Sequence, residues 1–291
     1  TLSTGHALAW DRLVLSPGVD MRWNALEGYD EAASQRAPHA WKAGPQTQLL
    51  RRQLEAMPDG GVVAISIPKV PYRCPPGPYE RACMVADYLK RMNRAGAMVV
   101  VLDANASIQA EPEAFTRAFN VTHAGRILYV PNANVQSVDS ASRSITTSAM
   151  NVSNAKVLNI IPAHRAGGIA AALGVNASGF VPVDPLTYGI TGYPNVHVIG
   201  DAIQVAQGMP KSGHMANSHA KVAAAAITAQ LLGLPVNPHP MLTNVCMSFV
   251  DDSHVIHVAS VHEYVPTQKT FATIGGSGGV SDVRSDLEGR Y

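Results

Sequence analysis

The sequence predicts an α/β protein with two parallel-sheet domains followed by a C-terminal α+β domain. Three features predict it. Apolar, β-branched runs at residues 61–68 and 97–103 flank a stretch of helical periodicity. A strand at residues 195–199 breaks at Gly200-Asp201 ahead of a long helix. Beyond Met241 the pattern alternates in strand fashion. Both parallel-sheet domains are expected to be Rossmann-like, the first incomplete and discontinuous. The expected divisions are residues 1–35 and 166–236 for that first domain, 36–165 for the second, and 237–291 for the C-terminal interface domain.

In chain order, residues 2–3 and 7–10 read as two strands running into residues 11–16 and the turn at Pro17-Gly18. A domain that opens on a hairpin is expected to draw its parallel neighbours from earlier sequence. Residues 46–57 have helical spacing, and the helix expected over 79–94 joins the two buried runs into a βαβ unit. Residues 127–130, 135–138 and 144–147 read as meander strands, and 156–161 as a last strand ending at Pro162. After a short strand from Val181 and the strand over 195–199, the long helix covers about 212–232, and Pro235, Pro238 and Pro240 mark a linker.

Composition excludes several function classes. The 291 residues carry 22 Lys and Arg against 21 Asp and Glu, and only 15% are charged, below the roughly 25% of an average domain. Such a balance gives no electrostatic footprint for nucleic acid. No window reaches the ~18 apolar residues of a membrane span, since even 222–232 is Ala-rich and interrupted by Gln230. Three cysteines are too few for a disulfide scaffold and lack metal-ligand spacing. No C-x-x-C-H occurs, so any haem is expected only on a partner. The histidines do not suggest a metal site either: His254 and His257, three apart on a strand, point to opposite faces, and His6, His39 and His123, like His164, His197 and His214, have no chelating spacing.

Four places can carry chemistry. Gly200 and Asp201 end a strand where ligands bind in doubly wound sheets, and Asp201 there can accept bonds from a ribityl or ribose hydroxyl. The next helix, entered through Met209-Pro210-Lys211, would aim its positive end at the same crevice, with Lys211 near the anion of a reduced flavin. The bland reading is an Asp-capped surface turn. Ser16-Pro17-Gly18, small and turn-forming after a buried strand, would let backbone approach a dinucleotide. Cys74, set among prolines with Arg73 and Arg81 nearby, has an electropositive setting that lowers a thiol pKa, and Glu80 can serve as proton acceptor. Alternatively Cys74 is a small buried hydrophobe and Glu80 a first-turn charge. Cys246 is the candidate second sulfur, 172 residues on, while Cys83 falls inside the helix as a core residue. Spacing alone leaves the pairing open. Where a nicotinamide-binding unit would carry G-x-G-x-x-G, this loop has prolines and Cys74, so it cannot cradle a pyrophosphate.

Tyr72-Arg-Cys-Pro-Pro-Gly-Pro-Tyr-Glu-Arg-Ala82 closely resembles the redox loop of the flavin subunit of flavocytochrome c sulfide dehydrogenase. Pro38-His-Ala-Trp-Lys-Ala-Gly44, Ile199-Gly-Asp-Ala202, Met209-Pro-Lys-Ser-Gly213, Ala216-Asn-Ser218, Lys221-Val-Ala-Ala-Ala225 and Asn244-Val-Cys246 are similar to that family in the same order. The resemblance implies a Cys74–Cys246 redox disulfide over the ring of FAD, with Glu80 beside it. Hydrosulfide then attacks the disulfide, a persulfide forms, and the released thiolate passes two electrons to the flavin. It further implies a c-type cytochrome subunit as partner and a periplasmic location. The family's pyrophosphate-binding G-x-G-x-x-G and its flavin-attaching cysteine are not in this sequence, and the covalent attachment is expected in a preceding segment. Two other readings remain at this point: a sulfide:quinone reductase, which the polar, glycine-rich residues 261–291 disfavour, and a catalytically silent assembly module.

Overall fold

The computed structural model describes residues 3–280 and 284–285. The chain forms two compact units. Of the described residues, those up to Asp20, Arg165–Val245 and Ala259–Gly278 make the first; Met21–His164, Cys246–Val258 and those after Gly278 make the second.

The chain opens with β1 (Leu13–Leu15), β2 (Val19–Met21), α1 (Pro45–Glu55), β3 (Val62–Ile67) and α2 (Gly77–Arg91). Then come β4 (Met98–Asp103), α3 (Pro112–Arg117), β5 (Ile127–Val130), β6 (Val135–Asp139), β7 (Ser144–Thr147) and β8 (Val157–Ile160). After β9 (His164–Ala166) and α4 (Gly168–Ala171) follow β10 (Gly189–Ile190), β11 (Tyr193–Val198) and α5 (Gly213–Leu231). The C-terminal strands are β12 (Met241–Phe249), β13 (His254–Val265) and β14 (Thr270–Thr273).

The second unit is built on a four-stranded sheet of order β5-β4-β3-β8, with every neighbouring pair parallel. A parallel sheet is covered on both faces, which is why β3 and β4 read as unbroken apolar runs. Val63, Ile65, Ile67, Val99 and Val101 pack one way, with Tyr79, Cys83 and Leu89 of α2. Ala64, Val100, Leu102, Leu158 and Ile160 pack the other way, with Tyr29, Ala33, Val138 and Ile145. Helix α2 starts with proline in its first turn and has Glu80 there, while Lys90 and Arg91 lie in its last turn. Both charge placements complement the helix dipole.

In the first unit β1 and β11 run parallel, with Leu13 opposite Val196 and Leu15 opposite Val198. Strand β10 adds antiparallel to β11. Ser212 caps α5 by accepting the Met215 N–H at 3.0 Å. Strands β12, β13 and β14 form a meander whose first two strands each contribute residues to both units. No helix among the described residues is long and apolar enough to cross a membrane.

Four details differ from the sequence expectation. Residues 21–35 group with the second unit rather than with 1–20, because Met21, Tyr29 and Ala33 lie in its cores. The described residues of 237–291 are divided between the two units. Strand β5 is the parallel partner of β4 instead of a meander strand, since residues 112–122 coil into a helical crossover that a hairpin would not need. Of the two short strands expected at the start, residues 7–10 are exposed and form no ladder, and Leu2 lies outside the described residues.

Candidate redox and cofactor site

The sequence-predicted residues fall into two groups, one in each unit. Cys74, Glu80 and Cys246 belong to the second; Ser16, Pro17, Gly18, Gly200, Asp201, Met209, Pro210 and Lys211 belong to the first.

Cys74 ends the loop before α2 with φ +58°, a left-handed conformation that side chains other than glycine adopt at a cost of about 1–3 kcal/mol. The surrounding loop enforces it. The Arg73 N–H donates to His164 Nδ1 at 3.0 Å, and Trp41 Nε1–H donates to the Arg73 carbonyl at 3.1 Å. The Arg73 guanidinium returns a bond to the Trp41 carbonyl. Behind the cysteine, the Gly77 N–H bonds the Cys74 carbonyl at 3.0 Å, and the Tyr72 hydroxyl reaches the Pro75 carbonyl at 3.3 Å. A Cβ on Gly77 would stand 3.0 Å from both Cys74 Sγ and Trp41 Cη2. Only glycine leaves that sulfur its place.

Glu80 projects from the first turn of α2 and accepts the Phe249 N–H on Oε1 at 2.8 Å. Phe249 is three residues beyond Cys246 on β12, so the carboxylate ties that stretch of strand to the helix that follows Cys74. His123 makes a second tie, its Nε2 lying 2.6 Å from the Val250 carbonyl oxygen. Although Cys74 keeps an exposed edge, desolvation by the groups packed around it, then the charges of Glu80 and Cys246, push its thiol up to about 11. The Gly77 N–H and Arg73 oppose this and do not cancel it. This corrects the electropositive, low-pKa thiol expected from Arg73 and Arg81, because the fork of Arg81 is directed elsewhere. Its Nη atoms donate to the Ala40 carbonyl at 2.6 Å, the His39 carbonyl at 3.1 Å and Asn159 Oδ1 at 2.9 Å. The guanidinium lies 4.7 Å from the Trp41 ring centroid. Burial also raises the Glu80 carboxyl above its usual range. Cys83 is fully buried in the core, its thiol likewise pushed upward by desolvation. Cys74 is the exposed cysteine, Cys246 is half-buried and Cys83 is buried.

In the first unit the loops leaving β1 and β11 emerge side by side, because Leu15 pairs with Val198 at the carboxyl ends of two parallel strands. Ser16-Pro17-Gly18 and Gly200-Asp201 thus lie side by side at the strand ends, the place where ligands bind in this class of sheet. Gly200 has φ +73°, and a Cβ there would meet Ala216 Cβ at 3.3 Å and Ser16 Oγ at 3.4 Å. The first turns of α5 therefore reach the same loop ends, and a helix N-terminus with small-residue walls fits a polyhydroxylated, anionic cofactor. Met209 is a core residue, packed with Met215, Leu242 and Phe271. Lys211 is buried, its Nζ donating to the Asp201 carbonyl at 2.9 Å and the Ile203 carbonyl at 2.6 Å, 3.7 Å from the Phe180 ring centroid. Desolvation lowers it to about 7, against the pull of Asp201. Where the sequence suggests a cation for a flavin edge, the ammonium braces the turn that carries Asp201.

Sequence reasoning missed His39, Trp41, Asn159 and His164 as supports of the cysteine loop. Trp41 lay within a motif already singled out; Asn159 gave no local signal, since its Nδ2 meets the Pro38 and His39 carbonyls only through the fold.

Comparison with known proteins accords with this geometry. Residues 47–162 match the model of the central part of the sulfide dehydrogenase (flavocytochrome c) flavoprotein chain. Residues 238–291 match that of the flavin-binding part of flavocytochrome c sulphide dehydrogenase. The flavin-binding description thus falls on residues that the sequence reading gave to an interface domain. Among solved structures, a chain of the Tetrahymena thermophila mitochondrial ATP synthase superposes with TM-score 0.65 at 18% identity, covering 90% of this chain and 66% of that one. The NAD-dependent persulfide reductase of A. fulgidus gives TM-score 0.54 at 14% identity, covering 97% and 56%. A variant of the HOCl-induced flavoprotein disulfide reductase of Escherichia coli gives 0.54 at 14%, covering 86% and 50%. At these identities the likeness is one of fold, and the chain spans between half and two thirds of the length of these proteins. The two family models together cover more than half of the sequence, and the chain belongs to the family of flavocytochrome c sulfide dehydrogenase flavoprotein chains.

Proposed function

We propose that the chain oxidises sulfide as the FAD-bearing subunit of a flavocytochrome, with Cys74 and Cys246 as a disulfide–dithiol pair and a c-type cytochrome subunit as electron acceptor. The observation that carries this reading is the 2.8 Å hydrogen bond from the Phe249 N–H to Glu80, which ties the strand of Cys246 to the helix that follows Cys74.

Hydrosulfide attacks one sulfur of the oxidised pair: a new S–S bond forms, the old one breaks, and the other sulfur leaves as thiolate. Cys74 leaves poorly, because its thiol is pushed up to about 11, and a higher pKa slows departure. Cys74 is also exposed, whereas Cys246 is half-buried. Both arguments direct attack to Cys74, which keeps the persulfide while Cys246 departs as thiolate carrying the electron pair. Glu80 holds the Cys246 segment in reach and accepts the persulfide proton.

FAD, when bound, supplies the two-electron acceptor for that thiolate. Gly200 and Asp201, the loop Ser16-Pro17-Gly18 and the α5 entry at Pro210 would hold it, with Lys211 bracing the turn that carries Asp201. A stable disulfide in a protein this poor in cysteine suits an oxidising compartment, in keeping with a periplasmic location.

The test is anaerobic addition of sulfide to the flavin-loaded, complete flavoprotein. Its flavin absorbance should bleach within the mixing experiment and recover when an oxidised c-type cytochrome is added. A spectrum unmoved by sulfide, yet bleached by dithionite, would refute the proposal.

A further inference from the structure

Asp103 is a buried acid that the scheme above does not use. It ends β4 opposite Ile67 of β3 and is fully buried. In a dinucleotide-binding βαβ unit an acid beyond the crossover helix can take a ribose hydroxyl. Here its oxygens are taken by the protein. Oδ2 accepts the Tyr79 hydroxyl at 2.7 Å and the Tyr129 hydroxyl at 2.9 Å. Oδ1 accepts the Asn105 backbone N–H at 2.9 Å and Asn105 Nδ2–H at 2.8 Å. Four such bonds fill the acceptor capacity of an ionised carboxyl group, about four lone-pair sites.

These bonds lead to the two ends of the redox loop. On the entry side, Asn105 Nδ2 also donates to the Pro68 carbonyl at 3.0 Å, and Asn105 Oδ1 accepts the Val70 N–H at 3.2 Å. On the exit side, Tyr79 is the third residue of α2 and wholly buried, with its N–H bonded to the Pro76 carbonyl at 3.1 Å. Its hydroxyl also accepts the Gln109 N–H at 3.1 Å. Cys74 lies between Val70 and Tyr79, held at its left-handed φ of +58°. Tyr129 is different: it donates to the same Asp103 oxygen, but from β5 in the sheet and not from the loop or its helix.

We propose that Asp103 is a positioning residue for the cysteine pair: one carboxylate fixes both ends of the redox loop and so holds Cys74 where it can bridge to Cys246. This rests on the sulfide-oxidising reading. Asp103 touches neither sulfur and acts through Asn105 and Tyr79. A loop tied at both ends gives the two thiols a high effective concentration toward one another. That concentration favours the disulfide over the dithiol, so loosening either tie makes the bond easier to reduce.

The test equilibrates the complete, flavin-loaded flavoprotein anaerobically with graded ratios of reduced to oxidised dithiothreitol, then alkylates and measures the Cys74 and Cys246 peptides by mass. In this exchange two electrons and two protons pass from the reagent to the pair, one S–S bond breaking as the reagent's own forms. Asp103→Asn keeps the side chain's shape but leaves one oxygen for four donors, and Tyr79→Phe removes the exit tie alone. Each should reach half reduction at a roughly tenfold lower ratio, a midpoint about 30 mV higher. Tyr129→Phe removes a bond to the same oxygen without touching the loop and should keep the parent midpoint. Val138→Ala, which thins the core on the opposite face of the sheet, should keep it too and controls for general loosening. An unchanged midpoint in Asp103→Asn or Tyr79→Phe, or an equal shift in Tyr129→Phe, overturns the proposal while the parent still forms its bond. Should Asp103→Asn fail to fold, Tyr79→Phe against Tyr129→Phe decides alone. A parent whose Cys74 and Cys246 are never linked overturns the sulfide reading and this one together.

Discussion

Cys74→Ser or Cys246→Ser in the complete flavoprotein should slow sulfide-dependent flavin reduction by on the order of 10³-fold or more, with dithionite reduction unchanged. A serine hydroxyl can form no disulfide, so hydrosulfide meets no S–S bond to break and no persulfide arises. The two variants fail differently. Without Cys74 the exposed sulfur that takes the attack is gone; without Cys246 no thiolate is released to carry the electron pair. The residues proposed to hold the cofactor belong to the other unit, which is why dithionite bleaching is expected to survive. Cys83 supplies the control. Buried in the core, it takes no part in exchange, and Cys83→Ala should keep the parent rate. A Cys74→Ser or Cys246→Ser protein that reduces its flavin as fast as the parent would contradict the mechanism.

Arg81→Ala should cost about 3–5 kcal/mol of unfolding free energy, measured by urea denaturation at neutral pH. The guanidinium gathers the Ala40 and His39 carbonyls and Asn159 Oδ1 around a nearly buried positive charge, and it covers the Trp41 ring. Desolvation lowers it only to about 10, so it stays charged at neutral pH and its bonds are the strong, charge-assisted kind. Alanine would leave a cavity and strand at least two acceptors. The His39 carbonyl alone keeps a donor, the Asn159 amide. Arg81→Lys should recover only part of the loss, since an ammonium cannot reproduce the planar fork. The damage should reach the redox loop, because Trp41 holds the Arg73 carbonyl and packs beside Gly77. A loss below about 1 kcal/mol, the worth of an ordinary exposed pair, would show that the network does not support the loop.

Much of this arrangement is written locally. The runs over β3 and β4 announce strands buried on both faces, and the prolines before α2, with Glu80 in its first turn, announce a helix start beside Cys74. The Gly200-Asp201 break likewise marks a strand end facing a helix N-terminus. What local pattern could not convey is the state of charged groups after packing. Arg73 and Arg81 beside Cys74 in sequence suggest a lowered thiol pKa, yet burial and the neighbouring Glu80 prevail and raise it. Lys211 looks like a cation facing a ligand and instead braces two carbonyls. Glu111 reads as an ordinary acid at the start of a short helix; only the fold strips it of partners. The parallel place of β5 was hidden for a related reason, since a four-residue apolar run does not specify which neighbour it will pair with.

The proposed chemistry depends on two cysteines, distant in sequence, forming one exchangeable bond. Peptide mapping of the oxidised protein by mass spectrometry, after alkylation without reduction, addresses this most directly. The expected result is a linked pair of peptides containing Cys74 and Cys246, cleaved by phosphine, with Cys83 always unlinked. Alkylated Cys74 and Cys246 in fully oxidised protein, or a bond from either one to Cys83, would contradict it.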